Sequence, residues 1–150
     1  MNLWERFLGS RGPASTWIIR FQVGGVFFLE GIKKFLFPDQ WGAGRFVKIG
    51  IPAPGIMGPF VGAVEIIFGF MLIVGLLTRI STIPLLIDIS VAIATTKVPI
   101  LHQNGFWKME DPSRTDYAMF MGLFFLLIVG AGAVSLDTQW LLSSEKASQP

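Results

Sequence analysis

The sequence predicts an all-α integral membrane protein, a four-transmembrane-helix bundle with interfacial loop segments. Apolar runs occupy residues 16–36, 56–77, 80–96 and 117–136, each near the ~20 residues a helix needs to cross ~30 Å of hydrocarbon. The runs are continuously apolar, whereas the ~10-residue strands of a membrane barrel would alternate. Composition agrees, with 52% hydrophobic residues, 15% charged residues and a mean hydropathy of +0.61. One membrane domain spanning 1–150 is expected to account for the chain.

Before the first run, Glu5, Arg6 and Arg11 interrupt the sequence without an apolar stretch, so no cleavable signal is expected and the first helix serves as its own insertion signal. Ser15 or Thr16 is placed to cap that helix, and Phe37, Pro38 and Asp39 end it. The connection 39–55 is rich in glycine and proline, and its Trp41 and Phe46 suit a segment lying at the membrane interface. Thr78 and Arg79 leave only a tight turn between the second and third runs, making those helices antiparallel neighbours. The connection 97–116 contains Pro99, His102 and Pro112 and is expected as a loop, with Asp116 capping the last helix. After Gly130 and Gly132, a short segment with Trp140 and Leu141 is expected along the membrane surface, followed by a frayed tail from Ser143. Both termini then share one side. Arg6, Arg11, Arg79 and Lys146 lie on that side and seven Lys or Arg on the other, so the raw count favours cytoplasmic long loops.

Charges inside these runs locate the chemistry. On the second run, Gly58, Gly62, Glu65, Gly69, Leu72 and Leu76 form one helical stripe at alternating spacings of three and four. Small residues at that spacing admit a close helix neighbour, which puts Glu65 on a packed face. A charge at the bilayer centre costs from ~2.5 to more than ~10 kcal/mol, so such a residue is paired, protonated or functional. The first run carries a similar stripe of Arg20, Gly24, Phe27 and Gly31, and Glu30 and Lys34 stand four apart as an ion pair. Asp88 lies midway along the third run, sharing its face with Ser81, Pro84, Ala92 and Thr95. Arg20 and Asp88 differ in depth by ~7 Å. Two polar clusters are therefore expected: Arg20 with Asp88, and Glu65 with Glu30 and Lys34. The bland alternatives are a hydrogen-bonded structural acid at Glu65, and snorkelling or membrane anchoring at Arg20, Lys33 and Lys34.

The chain has no cysteine and a single histidine, His102. That excludes thiol relays and iron–sulfur ligation and leaves no bis-histidine haem within one chain. A net charge of +2 does not suggest nucleic acid.

Arg20 with Gly24, the Gly31-Ile-Lys-Lys34 step, the run GIPAPGIMGPFVGAVEIIFGFMLIVGLLTR from Gly50 to Arg79, and GAGAVSLD at 130–137 together give the chain a resemblance to the DoxX family of small bacterial four-helix membrane proteins. The middle piece is the most specific, combining a proline-rich entry, an intramembrane glutamate, glycines and a closing arginine. The resemblance covers almost the whole chain. It implies a multi-pass protein of the bacterial cytoplasmic (inner) membrane, with Arg20, Lys34, Glu65 and Arg79 at the family's polar positions. It also implies a link to membrane redox complexes, because the family is named after a subunit of a thiosulfate:quinone oxidoreductase. Without cysteine, this chain lacks the sulfur-handling group expected of thiosulfate chemistry.

The expected function is binding of a small hydrophobic or quinone-like molecule in a polar bundle interior, as a candidate subunit of a membrane oxidoreductase. Glu65 and Asp88 would pass protons, and Arg20, Glu30, Lys34 and Arg79 would bind the molecule. Phe27, Phe28, Phe60, Phe68, Phe70, Phe124 and Phe125 are candidate walls. A quinone is the candidate cofactor; haem, iron–sulfur, flavin and metal are not indicated. The alternative is a non-enzymatic helper of partner membrane proteins, or a small proton or solute carrier, in which the glycine stripes would serve partner helices or a homodimer. The lipid bilayer is the expected surrounding, and redox-complex subunits are the other candidate partners.

Overall fold

The computed structural model describes residues 12–147, with side chains to 143. The expectations that rest on Glu5, Arg6, Arg11 and the Lys146 side chain lie outside the described residues. Every regular element described is helical: α1 (Thr16–Leu36), α2 (Ala43–Lys48), α3 (Pro54–Val74), α4 (Thr78–Ala92), α5 (Val98–Asn104), α6 (Phe106–Val129) and α7 (Leu136–Ala147).

Among the described residues, two segments are long and apolar enough to cross a membrane, Pro54–Val74 and the continuous Thr78–Asn104. The latter runs from α4 to α5 through a π-helical turn at Ile93–Lys97. This widening lies where Pro99 withholds the N–H that the Thr95 carbonyl would otherwise accept, and the Thr95 and Thr96 hydroxyls bond back to the Val91 and Ala92 carbonyls at 2.8 and 2.6 Å. Helices α1 and α6 have comparable length but carry more charge.

Apolar side chains both fill the centre of the fold and cover its outside. Val23 and Phe27 of α1, Leu72 of α3, Leu85 and Ile89 of α4, and Met119, Leu123 and Leu126 of α6 form one buried cluster. Many large apolar side chains, including Phe21, Ile56, Phe60, Ile67 and Ile87, face outward. A soluble monomer rarely exposes so much contiguous apolar surface.

Helices α1 and α3 make the most intimate contact. A Cβ placed on Gly24 would stand 2.6 Å from the Gly69 carbonyl oxygen, and one on Gly31 2.6 Å from that of Gly62. These pairings make the two helices antiparallel and consume both glycine stripes inside the chain. The stripes therefore pack the chain against itself and are not left to a partner.

Three boundaries differ from the sequence reading. The connection 97–116 is almost entirely helical, because α6 begins at Phe106, where Arg114 pairs with Glu110 at 2.9 Å and with Asp111 at 3.3 Å across one helical turn. Asp116 consequently lies inside α6 and caps nothing; it takes an ion pair from Lys97 at 3.2 Å. At the other end α6 stops at Val129, because Gly130 turns the chain with φ +85°. The segment after it is helical from Leu136 to Ala147, past the point where a frayed tail is expected.

Candidate functional site

Lys34 and Glu65 form the centre of a buried polar cluster. From the Gly31–Gly62 crossing, Lys34 lies three residues further along α1 and Glu65 three further along the antiparallel α3, an offset of about 9 Å. Side chains of a helix lean toward its N-terminus. In antiparallel helices those leans converge, and Lys34 Nζ donates to Glu65 Oε2 at 2.5 Å. Their side chains are 12% and 5% exposed, so Lys34 reaches into the interior and does not snorkel outward.

Asp88 joins from α4. Glu65 and Asp88 each lie about ten residues from the α3–α4 turn, which puts the two carboxyls at one depth and within hydrogen-bonding reach of each other. Lys34 also acts on Asp88, and Arg45 of α2 does so more weakly. The cluster thus brings two acids and one ammonium together in an apolar surround. Phe46 of α2 is buried, and α2 packs against α3, placing Arg45 on the loop side of the cluster.

A second cluster ties the opposite end together. Arg20 is only 3% exposed, and its Nη1 donates to the Ala131 carbonyl at 2.8 Å, with Asp137 as its nearest influential acid. Asp137 accepts from the backbone N–H groups of Leu77 (2.6 Å) and Thr78 (3.0 Å). It therefore caps α4 from across the fold, satisfying donors that a helix start leaves open. Asp137 returns its own N–H to the Gly75 carbonyl at 3.0 Å. Gly75 has φ +72°, and a side chain there would collide with the Arg20 guanidinium. Ser135 caps α7 by accepting from the Thr138 N–H at 3.2 Å. Arg79 Nη2 donates to the Ile128 carbonyl at 3.0 Å.

The expected pairings are therefore redistributed. The structure joins Lys34 to Glu65 and brings Asp88 to them, but it gives Arg20 to Ala131 and the vicinity of Asp137. Glu30 does not reach the cluster: Lys33 takes it at 2.6 Å, while Lys33 also stacks over the Trp41 ring at 4.6 Å. Arg79 stands with Arg20 at the other end. In the sequence Asp137 stands out only as the last residue of GAGAVSLD; an aspartate closing a glycine-rich turn is a capping signal, but its target lies 60 residues earlier. A cavity of about 670 Å³ lies elsewhere, between the α4–α5 segment and α6. None of the six expected site residues lines it, nor do the seven phenylalanines expected as walls; Phe106 and Phe120 do.

Residues 15–98 match the family model described as DoxX. The chain is 48% identical over 140 residues to the uncharacterized membrane protein Rv3486 of Mycobacterium tuberculosis, with 89% of this chain and 86% of that protein covered. No solved structure matches.

Proposed function

The chain belongs to the DoxX family of membrane proteins, and from that premise we propose that it crosses the bilayer four times as one membrane domain and holds a proton at Lys34, Glu65 and Asp88 in the service of membrane redox chemistry. The observation that carries this reading is the side-by-side placement of Glu65 and Asp88 with one ammonium on Glu65. An intramembrane acid with a named partner marks a functional site by default, and a carboxyl pair sharing a proton can accept or release it without leaving two bare charges in apolar surroundings.

A small hydrophobic or quinone-like molecule would supply the redox chemistry when bound. The donor set fits such a molecule: the Lys34 ammonium spends one N–H on Glu65 and has further donors that a carbonyl oxygen can accept from. Lys34 orients Glu65, Glu65 and Asp88 exchange the proton between them, and Arg45 steadies Asp88 from the loop side. In the partner-helper alternative a partner would dock through another surface, because the glycine stripes are occupied by α1 and α3 themselves.

Gentle purification followed by mass spectrometry and absorbance scanning tests this reading. A quinone-type molecule retained by the native chain and depleted by Glu65→Gln is the expected result. A lipid-only preparation carrying a stoichiometric partner protein contradicts it.

A further inference from the structure

We infer that the cavity between the α4–α5 segment and the N-terminal part of α6 binds an uncharged, lipid-like amphiphile, a single apolar chain with one hydrogen-bonding end. Its volume of about 670 Å³ falls within the ~300–1,000 Å³ of small-molecule sites. Ile93, Val98, Phe106, Met109 and Phe120 supply an apolar wall, suited to a hydrocarbon chain. The π-helical turn at Ile93–Lys97 contributes two lining residues, Ile93 and Ala94, and such widened turns occur frequently at functional sites.

The polar groups of the cavity select the head of the ligand. Tyr117 and Ser113 line it; the Tyr117 hydroxyl can accept or donate, whereas Ser113 Oγ already donates to the Met109 carbonyl at 2.5 Å and keeps only its accepting capacity. The lining cation is already engaged: Arg114 donates to Glu110 at 2.9 and 3.1 Å and pairs with Asp111 at 3.3 Å. That hydrogen bond also holds the Glu110 carboxyl below its usual range. Lys97 is committed to Asp116 at 3.2 Å. The charged lining is therefore two acids, Glu110 and Asp116, against one base that is already paired, which disfavours a phosphate or carboxylate head and admits a hydroxyl or carbonyl. The inference rests on the chain lying in a bilayer and is independent of the Lys34–Glu65–Asp88 cluster.

Photolabelling the protein in phosphatidylcholine vesicles with a diazirine-bearing long-chain alcohol, and with the fatty acid of the same chain, tests it. The expected alcohol labelling concentrates on residues 90–98 and 106–120, severalfold above the outward face of α3, and excess unlabelled alcohol displaces it. The acid labels these residues severalfold less. Ala94→Trp, which fills the cavity, lowers the labelling, whereas Glu65→Gln leaves it unchanged and so keeps this test separate from the proton cluster. Even labelling over all outward apolar surfaces, equal labelling by the acid, or an unlabelled cavity covered by a second copy of the chain would each overturn the inference. The map on the native chain decides even where Ala94→Trp does not fold.

Discussion

Lys34 Nζ donates to Glu65 Oε2 at 2.5 Å across the glycine-packed seam of α1 and α3, with both side chains withdrawn from the surface. Breaking a buried pair by removing one partner leaves an uncompensated charge and is far more disruptive than replacing both. Lys34→Met and Glu65→Leu are each expected to lose roughly 3–5 kcal/mol, and the double variant to recover much of that. Thermal unfolding in one detergent, analysed as a double-mutant cycle, measures it; additive losses would show that the two side chains do not interact.

Close packing makes Gly24 and Gly31 intolerant of a methyl group, while Gly25 faces open space. Overpacking typically costs about 1–3 kcal/mol. Gly24→Ala and Gly31→Ala should therefore melt earlier, and Gly25→Ala should stay within about 0.5 kcal/mol of the native chain. Equal effects at all three positions would refute the proposed seam.

Asp137 holds the start of α4, so Asp137→Ala removes a helix cap worth about 1–2 kcal/mol as well as the acid nearest Arg20. Asp137→Asn keeps one accepting oxygen and should lose less. Hydrogen exchange at the Leu77 and Thr78 amides reports the cap directly, with faster exchange expected in both variants and the larger increase in Asp137→Ala.

Ala53 sits in the left-handed region at φ 49°, between Pro52 and Pro54. For a residue with a Cβ that conformation costs about 1–2 kcal/mol, partly offset by the greater freedom glycine has when unfolded. Ala53→Gly is expected to raise the melting temperature slightly. A drop would show that the Ala53 methyl contributes packing that outweighs its strain.

The absence of cysteine allows a clean test of four crossings. Single cysteines at Ser15, Leu77 and Gln139 should react with an impermeant maleimide from one side of the membrane, and those at Gln40 and Gln103 from the other. Any mixing of these groups contradicts four spans.

The glycine stripe of α3 was legible because its period is local, and Gly58, Gly62, Glu65, Gly69 and Leu72 are all buried. The N-terminal half of α6 was not, because its charges and Pro112 read as loop composition although the chain there is helical. Arg20 was matched to Asp88 by depth alone. Its real partner arrives only because Gly130 and Gly132 fold the chain back, a long-range event with no periodic signature. The same limit hid Asp137, whose role depends on meeting the α3–α4 turn. Lys34 and Lys97 also weaken the orientation count, since both are held in ion pairs and are not arrayed along a loop.

Infrared spectroscopy of the protein in lipid bilayers detects the shared proton itself, by reading the C=O stretch of a protonated carboxyl shielded from solvent exchange. A shared proton at Glu65 and Asp88 predicts such a band in the native chain at neutral pH, shifted or lost in both Glu65→Gln and Asp88→Asn. A native spectrum without the band, or one that neither substitution alters, would mean that the cluster holds no proton.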